Sequence, residues 1–287
     1  VATGRGLGER PAGAPARPPG PVPPRLLPEA NSGAPGLYDL APLRGRLEEV
    51  IYFGLLNGGG APRLSVAAID IASGERIVFD TRHDGATVGP EHLLASCALP
   101  PDFAPTEIDG RLLGDGGLST NAPLDLILDE PAGGDLVCFV LDLFAREGGH
   151  PRSLADAAVR ALDLMFSGQS GLILEGRARE HRLRGVIGRL AARLPPELRR
   201  DPEVAAMLAE ASGTRAATVL RLAYRAPAGE AGIQKTFDFA RDALAGRWAA
   251  GTRDMRAALR TVAALPRGAE GSRTGLTVHE VAADAAR

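Results

Sequence analysis

Three residues in this 287-residue chain carry its plainest chemical signature: Asp115-Gly116-Gly117, after a strand-like run and shortly before Asn121-Ala122-Pro123. Two glycines after an aspartate let the backbone turn tightly and leave the carboxylate unobstructed by neighbouring side chains. A carboxylate at a strand end can accept a proton from a serine or orient a histidine. Taken alone, Asp-Gly-Gly is also an ordinary turn, because Asp and Gly are common turn formers.

A serine on a nucleophile elbow needs glycine two residues before and two residues after it. Ser170 has Gly168 before it but Leu172 after it, and Ser119 has Gly117 but Asn121. Ser65, Ser96 and Ser153 fail on both sides, and no serine in the chain meets the pattern. Cys97 reads as a small core position and, with Cys138, as one of two reduced buried thiols. His83-Asp84 and Glu91-His92 offer no i, i+4 histidine pair and no third ligand, so no metal site is expected. Arg177, Arg179, Arg182, Arg184 and Arg189 stand among acids such as Glu175 and Glu180, which reads as a solvated face. Gly58-Gly59-Gly60 reads as a loop, and Phe237 and Trp248 read as core.

These residues must be positioned by the elements around them. Residues 1–36 are rich in proline, glycine and alanine and read as a linker or arm. Order is expected from Leu37, with Asp39 capping a helix on which Leu43, Leu47, Val50, Ile51 and Leu55 share a face. Residues 63–70 and 76–80 read as strands joined by Ala72-Ser73-Gly74-Glu75. A short helix is expected from Pro90 to Ala98, and an Asp109-Gly110 hairpin turn follows. Another short helix should follow Pro123. Residues 135–143 (DLVCFVLDL) form a continuous apolar run, as expected of a strand covered on both faces. After Pro151 the spacing turns helical, over roughly 154–166, 175–194, 201–212 and 236–262, interrupted by a strand at 216–224. The organisation expected is therefore 1–36 as linker, 37–150 as mixed α/β and 151–287 as mostly helical.

Within residues 92–124 the order Ala95-Ser96-Cys97-Ala98-Leu99-Pro100, Phe103, Ile108-Asp109-Gly110, Asp115-Gly116-Gly117 and Asn121-Ala122-Pro123-Leu124 resembles the patatin-like phospholipases. The likeness runs from about Arg25 to about residue 265, and is similar to a bacterial branch with an extra C-terminal helical domain of unknown function. It implies a three-layer α/β/α domain and a lipid acyl hydrolase with a Ser-Asp dyad. Asp115 would be the proton acceptor, Gly116 and Gly117 would complete its motif, and no cofactor would be needed. In that family the serine of Gly-x-Ser-x-Gly lies upstream of the segment where this chain starts. The chain, beginning at Val1, is therefore expected to be the C-terminal part of such a domain followed by the helical domain, without its nucleophile and inactive alone. The alternative expectation is a non-catalytic binding or scaffolding remnant.

Composition narrows the remaining classes. Formal net charge is -2, and Lys235 is the only lysine among 33 basic residues. No basic surface asks for nucleic acid, and no apolar run is long enough for a membrane-spanning helix. The expected partner is a lipid ester, the expected location cytoplasmic or peripheral to a membrane, and oligomeric state is left open.

Overall fold

A computed structural model describes residues 36–82, 87–130, 135–144, 146–212, 216–224, 238–265 and 275–281. The expected linker, save Gly36, together with His83, Asp84 and Phe237, lies outside the described residues. The chain divides into two compact units between Asp115 and Gly116.

The first unit is built on an antiparallel sheet. After the helices α1 (Ala41–Val50) and α2 (Phe53–Leu56) come β1 (Ser65–Asp70), β2 (Arg76–Asp80), α3 (Pro90–Cys97), β3 (Thr106–Ile108) and β4 (Arg111–Asp115). The sheet order is β2-β1-β4-β3, with every neighbour antiparallel. Asp70 closes the β1–β2 turn by accepting from the backbone N–H of Ala72 at 2.8 Å and of Ser73 at 3.2 Å. Asp109 (φ 51°) and Gly110 (φ 75°) make the two-residue β3–β4 turn, the left-handed pair that matches strand twist. Ala68, Ala95 and Leu113 form the core where α3 lies on the sheet.

The first helix departs from expectation. The Asp39 carboxylate does accept from the N–H of Ala41 at 2.8 Å. However, α1 stops at Val50 and α2 begins at Phe53, so the single apolar face is broken. Neither helix buries a side chain fully, and Val50 and Leu55 are exposed. Asn57 anchors the end of α2: its amide donates to the carbonyls of Phe53 and Val88 and accepts from the Val88 N–H at 2.8 Å.

The second unit corrects the picture of a separate helical half. A short 3-10 turn (Gly116–Leu118) leads to α4 (Asp125–Leu128), β5 (Leu136–Asp142) and the 38-residue α5 (Leu154–Ala191). Then follow α6 (Pro196–Arg200), α7 (Pro202–Ser212), β6 (Ala217–Ala223), α8 (Arg241–Ala264) and β7 (Leu276–Val281). β5, β6 and β7 form one parallel sheet in that order. Residue 150 thus falls inside an α/β arrangement, because parallel strands need long crossovers and α5 and α8 provide them. Each sheet face carries its own core. Leu124, Leu128 and Leu174 meet Cys138, Val140 and Val219 on one side, while Ala258 and Met255 of α8 meet Leu220, Leu222 and Phe139 on the other.

The long helix starts where its sequence allows, the Ser153 hydroxyl accepting from the Asp156 N–H at 3.1 Å. The expected helices at 154–166 and 175–194 are one element, since nothing between them breaks the pattern: Gly168, Gly171 and Gly176 lower helix propensity without ending it. β5 also differs from expectation. Val137 and Leu141 are exposed, because β5 is a sheet edge and the α8 layer covers mainly β6 and β7. Trp248 stands 82% exposed on α8 rather than in the core.

Candidate active site

Asp115 ends β4, beside Ala68 of β1. Its N–H donates to the carbonyl of Ala98 at 2.9 Å, which ties the strand end to the end of α3. The approach is close because the facing residues are small. Ala95 and Ala98 are fully buried, and a Cβ on Gly114 would lie 2.7 Å from Ile71 Cδ1 and 3.2 Å from the Ala98 oxygen. The alanines of the Ala-Ser-x-Ala segment are therefore packing residues that let α3 seat against the strand carrying the aspartate. Half-buried Asp115 then gives way to the 3-10 turn, in which the Ser119 and Thr120 N–H groups both donate to the Gly116 carbonyl.

Cys97 sits at the last turn of α3 and is exposed, contrary to its expected core position, whereas Cys138 is buried in the second unit. Desolvation, and after it the Asp115 carboxylate, push the Cys97 thiol up from its ordinary range. A thiol held protonated is a poor nucleophile. The hydrogen bond from the Asp115 N–H to the Ala98 carbonyl places the end of α3, where Cys97 sits, beside this strand end.

Glu91 and His92 open α3, and His92 Nδ1 accepts from the Gly89 N–H at 2.8 Å. His92 thus caps its helix, and its ring packs edge-on against Phe79. Among the described residues no cluster of three metal-ligating side chains occurs.

The arginine cluster of α5 divides between two faces. Arg177 pairs with Asp129 and Glu180, and Arg184 with Glu180 at 2.6 Å, while Arg179, Arg182 and Arg189 are exposed.

One polar constellation was not singled out from the sequence. Asp142, 1% exposed at the end of β5, accepts from Arg221 of β6 at 2.5 and 3.2 Å, and Arg221 also donates to Glu280 of β7 at 3.1 Å. Burial opposes the Arg221 charge, but the two carboxylates outweigh it and push the guanidinium up. A lone arginine inside the apolar run of residues 216–224 was the available signal, since a buried charge requires a partner. These three residues lace the carboxyl ends of the parallel strands together.

Comparison with protein families finds two matches. Residues 26–128 match a family model described as patatin-like phospholipase, and residues 164–269 match one described as patatin phospholipase. No curated protein matches the chain. The matches overturn the reading of the chain as merely a C-terminal remnant followed by a helical domain of unknown function. The patatin-like match starts at residue 26, and the helical stretch carries a patatin phospholipase match of its own. The conclusions built on truncation, that the nucleophile-bearing half is missing and the chain therefore inactive, fall with it. The sequence itself shows something narrower, that no serine has glycine at both flanking positions. In both matched segments the chain is similar to patatin phospholipases, and these matches support a hydrolase of lipid degradation.

Proposed function

We propose that this protein is a lipid acyl hydrolase in which Asp115 serves as the general base, Gly116 and Gly117 giving the turn that keeps its carboxylate accessible. The observation that carries this reading is the placement of Asp115: a half-buried carboxylate at a strand end, fixed through its own N–H to Ala98 and followed directly by a tight glycine turn. The substrate is a lipid ester, met in the cytoplasm or at a membrane surface. No helix among the described residues is long and apolar enough to cross a membrane.

The chemistry needs no cofactor. A hydroxyl attacks the ester carbonyl while its proton passes to Asp115, and as the tetrahedral intermediate collapses Asp115 gives that proton to the departing alcohol oxygen, leaving an acyl-enzyme. Water, deprotonated by the regenerated carboxylate, then attacks the acyl carbon, and the same proton returns to the enzyme hydroxyl as the fatty acid leaves.

The test is fluorophosphonate labelling of the full chain, with peptide mapping of the labelled hydroxyl, alongside turnover of a p-nitrophenyl acyl ester and a phospholipid. The expected result is a single labelled hydroxyl and ester turnover, both suppressed in Asp115→Asn. Turnover by an Asp115→Asn variant at the wild-type rate would remove Asp115 from the reaction. A folded chain that neither labels nor turns over would sink the hydrolase reading.

A further inference from the structure

The chain's only tryptophan, Trp248, stands 82% exposed on α8, whose Ala243 and Ala258 are buried. An indole left in water forgoes the burial that ordinarily holds so large an apolar side chain in a core. Leu259, also exposed, lies about 16 Å further along the helix axis and about 20° round it. The two make a short apolar row, and Ala245, Ala249 and Thr252 beside it are too small to cover it.

Positive charge stands next to the row. Arg253, Arg256 and Arg260 are exposed about 80–140° round the helix from Trp248, and Arg241 is exposed at the near end of the row itself. None of these four forms an ion pair among the described residues, whereas Arg177 and Arg184 of α5 and Arg221 of β6 all do. Of the acids on α8, Asp242 is exposed and Asp254 is half-buried on the sheet side. The outward side of the helix therefore sets four arginines against one carboxylate, in a chain whose formal net charge is -2.

This charge is complementary to an anionic bilayer. An indole is apolar in body and polar at its N–H, so it settles at headgroup level. Arginine stems lie along apolar surface while their guanidinium groups reach phosphates, and each such cation near an anionic leaflet adds attraction. A lipid surface is favoured over an acidic protein because the substrate read for the Asp115 site is itself a lipid ester, and the inference rests on that reading.

We propose that the Trp248–Leu259 row and the arginines of α8 dock the protein on an anionic membrane surface, the indole and Leu259 entering the headgroup layer and the guanidinium groups facing its phosphates.

The experiment follows tryptophan emission as the full chain is titrated with vesicles of ether-linked phosphatidylglycerol in ether-linked phosphatidylcholine, which hold no ester to hydrolyse. With one tryptophan, the emission reports this face alone. Phosphatidylglycerol should shift it to the blue, protect it from acrylamide and float the protein with the vesicles, and phosphatidylcholine alone should do none of these. Arg256→Gln with Arg260→Gln should weaken partitioning by about 30-fold. Arg182→Gln with Arg189→Gln, which removes the same charge from α5, should change it little. A chain that does not float overturns the proposal, and so does equal binding to phosphatidylcholine alone. Flotation with the emission unmoved puts the contact on another face and overturns it too, as does an equal loss in both double variants. A blue shift in a chain that turns over no ester keeps the docking face and removes the hydrolase reading, and turnover without a shift does the opposite.

Discussion

Four of the described strands end on an aspartate, and two of these, Asp142 and Asp115, sit in contrasting surroundings. Asp142 ends β5 in the parallel sheet, is almost wholly buried, and is held by the Arg221 guanidinium and the Phe144 N–H. Asp115 ends β4 in the antiparallel sheet, is half-buried, and opens onto a glycine turn. A carboxylate locked against a buried guanidinium cannot easily take a proton, because neutralising it strands the arginine's charge. Strand-end position alone therefore does not make a catalytic acid or base; at Asp142, burial and a committed cation exclude that role.

The largest effect should come from breaking the assignment at Asp115. Asp115→Asn should lower ester turnover by about 10²–10⁴-fold while shifting the urea midpoint little, which paired kinetics and denaturation would check. Arg221→Met should do the reverse. It leaves Asp142 buried without its cation, at a cost of about 3–5 kcal/mol in urea unfolding. The double variant Arg221→Met with Asp142→Leu should recover most of that loss. If the double variant were no more stable than the single, the pairing account would be wrong.

A third carboxylate sharpens the contrast through pH. Burial disfavours the Asp80 charge, but the Ser65 hydroxyl, the Arg82 N–H and Arg63 (2.7 Å) outweigh it and hold the carboxyl at about 2. The folded pKa lies below the unfolded one. The contribution of about 2 kcal/mol is therefore present above pH 3.8 and lost as pH falls from there through about 2. Asp80→Asn should flatten that part of the stability curve, measured as urea midpoints at pH 4, 3 and 2.

His181 gives the smallest effect. It is buried on α5 with Nδ1 unpartnered among the described residues, and desolvation lowers its pKa, with Glu180 and Asp129 opposing and Arg184 and Arg177 reinforcing the shift. Below the ordinary histidine range the unfolded chain takes up a proton that the folded chain resists, so stability falls as pH drops through 6.5. His181→Leu should remove that slope, by about 1 kcal/mol or less, in urea midpoints compared at pH 7 and 5. An unchanged slope would assign it to other groups.

Much of the local structure was written in the sequence. The Asp109-Gly110 turn, the strand at 76–80, the helix from Pro90 and the strand at 216–224 all follow from short-range chemistry: φ preferences, caps and apolar runs. The five ordered submotifs around Asp115 carried the patatin likeness for the same reason, since each is a local packing or turn requirement. What only the tertiary structure decided is non-local. The apolar run at 135–143 says strand, but not that it forms a sheet edge with Leu141 67% exposed. Helical spacing after residue 150 says helix, but not that α5 and α8 are crossovers joining β5, β6 and β7 into one parallel sheet. Periodicity gives α5 an inner and an outer face without saying which is which. That choice went to the face bearing Leu174 and His181, because strand pairing fixes where the sheet lies, and the sheet fixes which side of the helix meets it.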